Sequence, residues 1–113
     1  MNIQIFGKPK CFDTRKAERY FKERKIKYQY IDLVKVGMSD GEYRSIARAV
    51  GGMRALLDER SQLYEDLYIA YLAPESAIEE KLLDNPGLFR TPIVRNGRLA
   101  TIGYQPDVWK TWT

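Results

Sequence analysis

The sequence has no histidine and a single cysteine, Cys11, among its 113 residues. The absence of histidine excludes a Cys–His catalytic pair and most zinc sites with their usual ligands, so we expect no bound metal. One cysteine cannot form an intramolecular disulfide, and the composition does not indicate a secreted, disulfide-rich scaffold. If Cys11 is an activated nucleophile, nearby cations and backbone dipoles must therefore activate it.

Long apolar runs are also absent, and none approaches the roughly 20 residues of a membrane span. The N-terminus shows no basic region followed by a long apolar stretch, so we expect a cytoplasmic protein without a membrane anchor. Apolar residues make up 44% and charged residues 30%, which is typical of a globular protein. The length suits one domain with one core, over residues 1–113. The net charge of +4 suits a small anion as well as nucleic acid.

Cys11 lies where a first strand is predicted to give way to a first helix. An apolar run over residues 3–6 ends in a Gly/Pro turn, and a charged helical pattern over residues 12–25 follows the cysteine. A helix N-terminus carries about half a positive charge and unpaired N–H groups, which stabilise the nucleophilic thiolate. A buried structural cysteine is the alternative, but this cationic turn favours a reactive one. Lys8 and Lys10 are expected to be solvated and to act through their field.

The remaining pattern predicts a β-α-β unit, a helical middle, and a β-hairpin followed by a last helix. Residues 28–33 form the second strand, which a crossover helix would place parallel to the first. Interrupted helical patterns occupy about residues 39–85, and Ser39 or Asp40 is the predicted N-cap of the first of them. Asn96-Gly97 between two extended runs predicts the hairpin. We therefore predict an α/β, thioredoxin-like fold: a four-stranded mixed sheet with a helical insertion between its two halves.

Aromatic residues among basic ones could stack on nucleic-acid bases. Packing of one helix face against the core explains their helical spacing more simply. Tyr64, Tyr68 and Tyr71 are separated by four and three residues, so we predict that they pack into the core. Trp109 and Trp112 are predicted to anchor the last helix to the sheet. We therefore expect no direct binding of nucleic acid.

Four stretches together resemble the arsenate reductase family of the thioredoxin-like superfamily, which includes the Spx-type transcription regulators. They are residues 10–17 (KCFDTRKA), 56–61 (LLDERS), 90–94 (RTPIV) and 102–106 (IGYQP). The chain is most similar to a single-cysteine branch, some members of which are described as nitrogenase-associated. The resemblance implies that Cys11 is the catalytic thiol, that Pro92 is a cis-proline, and that Arg60 binds an oxyanion through its fork of donors.

The sequence departs from the family pattern at two arginines. Thr91 stands directly before Pro92, where arsenate reductases have an arginine, and Gln105 stands where they have a second. Arg90 lies one residue earlier, so in an extended chain its side chain would point to the other side. These departures make arsenate a less favoured substrate.

The resemblance implies a glutathione-linked monothiol oxidoreductase, because no second cysteine can resolve an adduct formed on Cys11. We expect no bound cofactor, and glutathione or glutaredoxin as the external reductant. The candidate substrate-binding residues are Thr14, Arg15, Arg60, Arg90, Thr91 and Pro92. Thr14 could instead serve only the helix start, and the arginines could face solvent. The alternative function is a non-catalytic module that, like Spx regulators, docks on a partner such as RNA polymerase, or a nitrogenase-associated factor.

Overall fold

In the computed structural model, which describes residues 1–112, four strands form one mixed sheet in the order β2-β1-β3-β4. The strands are β1 (Ile3–Gly7), β2 (Tyr28–Asp32), β3 (Ile93–Asn96) and β4 (Leu99–Ile102). β1 and β2 are parallel, whereas β3 pairs antiparallel with both β1 and β4. The predicted mixed sheet, its parallel first pair and its C-terminal hairpin are all confirmed.

Helices connect and cover these strands. They are α1 (Phe12–Glu23), α2 (Leu33–Val36), α3 (Asp40–Val50), α4 (Gln62–Asp66), α5 (Glu75–Asp84) and α6 (Pro106–Trp109), with 3₁₀ turns at Met53–Leu56, Ile69–Tyr71, Pro86–Leu88 and Lys110–Trp112. α1 is the crossover between β1 and β2, and α2 to α5 lie between β2 and β3 in the chain. Within residues 1–112, every helix is too short or too polar to span a bilayer.

Of the two residues predicted as the N-cap of α3, Ser39 is the one that caps the helix, together with Glu42. The Ser39 side chain accepts a hydrogen bond from the Glu42 backbone N–H, and the Glu42 carboxylate accepts one from the Ser39 N–H. This reciprocal capping box satisfies two backbone donors that a helix start leaves unpaired. The helix ends at Gly51, whose φ of 91° is left-handed and suits glycine.

The sheet separates two apolar clusters, so alternate residues of a strand serve different cores. On β1, Ile3 and Ile5 pack with α1, whereas Phe6 packs with the helices that follow β2. Trp109 is buried in the α1 cluster, and its indole N–H donates to Thr101 Oγ1 at 2.8 Å. The predicted anchoring of the last helix is therefore confirmed.

The prediction that three tyrosines pack into the core is wrong for two of them. Tyr64 packs against the core, but Tyr68 and Tyr71 are 68% and 86% exposed. The helical periodicity does not extend to them, because α4 ends at Asp66 and Tyr68 takes a left-handed backbone conformation, with φ of 54°. A spacing of three or four residues implies a shared face only within one continuous helix.

Candidate active site

Cys11 is the N-cap of α1, as the sequence predicted for its place between strand and helix. Its backbone N–H donates to the Lys8 carbonyl at 3.1 Å, which closes the turn after β1. Its thiol is partly exposed and donates to the Thr91 carbonyl at 3.6 Å. The cysteine therefore faces both solvent and the segment that precedes β3.

The surroundings of Cys11 favour the thiolate. Burial alone would raise the pKa of the thiol, but hydrogen bonds from the Thr14 and Thr91 side chains and from the Thr14 and Asp13 backbone outweigh it, so the pKa lies below its ordinary value. These donors lie in the first turn of α1 and beside β3. The activation thus comes from hydrogen bonds and backbone dipoles, in a chain without histidine.

The Thr14 hydroxyl is placed by close packing beneath Cys11. Its side chain is buried, and while Cys11 is a thiol the oxygen has no hydrogen-bond partner within residues 1–112. A Cβ atom on Gly7 would lie only 2.3 Å from Thr14 Cγ2, so only glycine leaves room at the end of β1. Sequence reasoning gave Gly7 no role beyond the turn, although glycine at a strand end often marks such a close approach.

A cavity of about 580 Å³ opens in front of Cys11. It is lined by Cys11, Leu57, Asp58, Glu59, Arg60, Arg90 and Thr91. Backbone hydrogen bonds hold its two walls together: the Arg90 N–H donates to Leu56 O at 2.8 Å, and the Asp58 N–H donates to Leu88 O at 2.7 Å. The cavity is thus bordered by the thiol-bearing residue Cys11 and by two arginines, Arg60 and Arg90.

Arg90 and Thr91 both line the cavity, although alternation along an extended chain would place their side chains on opposite sides. Strict alternation of side chains holds only inside a regular strand, and β3 begins at Ile93, after the Thr91–Pro92 peptide bond. That bond is cis, as the family resemblance implies.

The remaining candidate residues do not line the cavity. Arg15 is exposed, donates to the Pro9 carbonyl at 3.3 Å and does not line the cavity. Gln105 donates to the Ile102 carbonyl at 3.2 Å. Thr14 supports Cys11 from below, and Pro92 follows Thr91 directly. The structure therefore brings together Cys11, Arg60, Arg90 and Thr91.

Lys8 makes direct contacts that its sequence position did not reveal. Its ammonium donates to the carbonyls of Gly87 and Phe89, both at 2.8 Å. Burial lowers the pKa of Lys8, although the charges of Asp58 and Cys11 act in the opposite direction. Lys8 thus ties the turn before Cys11 to the segment before Arg90, and the expectation that it is simply solvated is wrong.

Substituting Thr14 with valine should raise the pKa of Cys11, because the change removes the hydroxyl donor and keeps the side-chain shape. The midpoint of the pH dependence of iodoacetamide alkylation should then move to higher pH. Thr14→Ser, which keeps the hydroxyl, should retain a midpoint near that of the wild type. An unchanged midpoint in Thr14→Val would contradict the role assigned to this hydroxyl.

Substituting Lys8 with methionine should destabilise the fold by about 1–3 kcal/mol, because two carbonyls lose their donor. The free energy of unfolding in urea measures this loss. Lys10→Met is the matched control. Lys10 is exposed, and its substitution removes the same charge from the same turn. Equal losses in the two variants would show that the contacts with Gly87 and Phe89 do not matter.

Known proteins are similar to this chain in sequence and in fold. The chain is 27% identical over 107 residues to the global transcriptional regulator Spx of Staphylococcus saprophyticus, covering 93% of this chain and 82% of that protein. An arsenate reductase from Vibrio cholerae superposes with a TM-score of 0.85 at 23% identity, covering 96% and 94% of the two chains. The glutaredoxin-like protein NrdH-redoxin from Escherichia coli gives 0.53 at 17% identity, covering 100% and 96%.

These likenesses confirm the predicted thioredoxin-like fold. A family model described as the ArsC family matches residues 6–112, which include the end of β1, the cysteine turn and both walls of the cavity. The match spans nearly the whole chain, and the chain therefore belongs to the ArsC family.

Proposed function

We propose that this protein is a glutathione-linked monothiol oxidoreductase of the arsenate reductase type, with the Cys11 thiolate as its nucleophile. The observation that carries this proposal is the placement of Cys11, Arg60 and Arg90 around one cavity. The lowered pKa of the thiol supplies the reactive form. The two guanidinium groups suit an anionic substrate such as a glutathione conjugate, which carries carboxylates.

The proposed cycle needs only one protein thiol. The Cys11 thiolate attacks the glutathione sulfur of a mixed disulfide, the S–S bond breaks, and the departing thiolate takes a proton from water. A glutathione thiolate then attacks the sulfur of glutathione bound to Cys11, which releases oxidised glutathione and restores the Cys11 thiolate. The net exchange converts a mixed disulfide and one glutathione into a free thiol and oxidised glutathione. A glutaredoxin thiol could replace glutathione in the second step.

Arsenate is the second substrate to test. Arg60 and Arg90 offer two forks of donors to its oxygens, and Arg90 lines the cavity although Thr91 occupies the position directly before Pro92. This arrangement supports arsenate more strongly than the sequence alone did.

A coupled assay tests the proposal. The protein is incubated with NADPH, glutathione reductase, glutathione and glutaredoxin, and is offered either a glutathione mixed disulfide or arsenate. We expect NADPH oxidation above background that Cys11→Ser abolishes. Arg60→Gln and Arg90→Gln should each lower kcat/KM by about tenfold, whereas Arg15→Gln, whose side chain lies outside the cavity, should not. Absence of turnover with both substrates by a folded protein would refute the enzymatic function.

The second candidate function is partner binding without turnover, as in a regulator of the Spx type. The curated relatives favour it, because those found at 26–27% identity are named global transcriptional regulators. In this case Cys11→Ser should bind its partner as tightly as the wild type. Pulldown with purified RNA polymerase and with nitrogenase components, each with wild type and Cys11→Ser, separates this function from the enzymatic one.

A further inference from the structure

A second cationic cavity lies between α3 and the β3–β4 hairpin. It has a volume of about 410 Å³ and shares no lining residue with the cavity at Cys11. Its lining residues are Gly41, Arg44, Ser45, Arg48, Ala49 and Arg98. Those from α3 are separated by three or four residues and form one face of the helix, opposite which the hairpin turn supplies Arg98.

Within the part of the chain that the structure describes, the arginines of this cavity form no ion pair. The ion pairs found within residues 1–112 join Arg54 to Glu75 and Lys110 to Asp107, so no carboxylate there pairs with the three cavity arginines. The hydrogen bond found for Arg44 within residues 1–112 is from its Nε–H to the backbone carbonyl of Asp40, at 3.4 Å. Arg44, Arg48 and Arg98 are all exposed, and scattered surface arginines need no explanation. Three positive charges that line one recess nevertheless repel each other, and an anion would relieve that repulsion.

A fourth arginine stabilises the recess from behind. Arg95 on β3 donates to Gln4 Oε1 at 3.0 Å and to the Gly97 carbonyl at 3.1 Å, which fixes its guanidinium group. It also donates to Ser45 Oγ at 3.4 Å. Because the Ser45 oxygen accepts this bond, its own proton is available to a ligand in the cavity. The recess therefore offers a hydroxyl donor beside its guanidinium groups.

We propose that this cavity binds a small compound through a phosphate or pyrophosphate group. A phosphate group carries more than one negative charge and presents several oxygens, so it can accept from more than one arginine at once. A single carboxylate would leave most of the positive charge unpaired. The volume lies in the range of sites for small molecules. This binding site is independent of the function proposed for Cys11.

Nuclear magnetic resonance tests the site with pyrophosphate as the probe. Titration into the ¹⁵N-labelled protein at constant ionic strength should give saturable shifts of the backbone amides of Ser45, Arg48 and Arg98. Arg48→Gln and Arg98→Gln should each weaken binding by about tenfold. Arg19→Gln is the matched control. Arg19 is exposed on α1, and its substitution removes the same charge outside the cavity.

The outcomes separate this site from the one at Cys11. Saturable shifts at Ser45 and Arg48 that persist in Arg60→Gln support the proposal, whether or not the protein turns over a disulfide. Shifts confined to residues around Cys11 and Arg60, or shifts that grow without saturation, overturn it. A short single-stranded DNA is titrated in parallel, and saturable binding of the DNA without binding of pyrophosphate also overturns the assignment of a small ligand.

Discussion

Replacing Gly7 with alanine is expected to destabilise the protein by about 1–3 kcal/mol, the usual cost of overpacking a tight site. The new Cβ would lie 2.3 Å from Thr14 Cγ2 and 2.9 Å from Thr14 Oγ1, so the first turn of α1 must shift. The shift moves the hydroxyl that lowers the pKa of Cys11, and the pKa should therefore rise as well. Urea denaturation and the pH dependence of alkylation measure the two effects.

A double variant separates packing from electrostatics. Thr14→Ala removes both atoms that clash, so Gly7→Ala with Thr14→Ala should regain most of the lost stability. The pKa of Cys11 should stay raised, because the hydroxyl is gone. Gly41→Ala is the matched control: it lies in helix α3 with nothing within 4 Å of a new Cβ, and should not destabilise the fold. If Gly7→Ala is as stable as Gly41→Ala, the close packing of Gly7 against Thr14 is contradicted.

Replacing Trp109 with alanine is expected to destabilise the fold by about 3–5 kcal/mol, as for other large buried aromatic residues. The indole is 1% exposed and its ring packs within 5.1–5.2 Å of the centroids of the Tyr20 and Phe21 rings. The change also leaves Thr101 without the hydrogen bond it accepts from the indole N–H. The free energy of unfolding in urea measures the loss.

Two further variants show which part of Trp109 matters. Trp109→Phe keeps an aromatic ring but not the N–H donor, so its free energy of unfolding should fall less than that of Trp109→Ala. Val108→Ala tests the neighbouring position, which is 40% exposed, and its loss should be small. A loss for Trp109→Ala no larger than that for Val108→Ala would contradict the anchoring of the last helix.

Much of the fold could be predicted because the signals are local. An N-cap at Ser39 or Asp40 is predicted from the residues directly before a helical pattern, and Asn96-Gly97 is a two-residue signal for a hairpin, so neither depends on distant parts of the chain. The prediction that the three tyrosines pack into the core failed for the opposite reason. Whether Tyr68 and Tyr71 share a face with Tyr64 depends on the backbone between them, and the end of α4 at Asp66 is not evident from spacing.

The same distinction applies to the site. The position of Cys11 at a strand-to-helix turn follows from its immediate neighbours, and the structure places it there. Lys8 bonds to carbonyls 79 and 81 residues away, so no local pattern could reveal its contacts. The placement of Arg90 beside the cavity depends on the irregular segment before β3, for which the alternation rule of strands does not hold.

The contact between Cys11 and Thr91 determines the stage of protein synthesis at which the thiol can reach its full reactivity. Eighty residues separate the two, so the ribosome releases the cysteine long before the segment that contacts it. A nascent chain that ends before Arg90 carries the thiol without the Thr91 contribution to its lowered pKa and without the Arg90 wall of the cavity. Full thiol reactivity therefore arises only when the last quarter of the chain has been synthesised and has folded against the first.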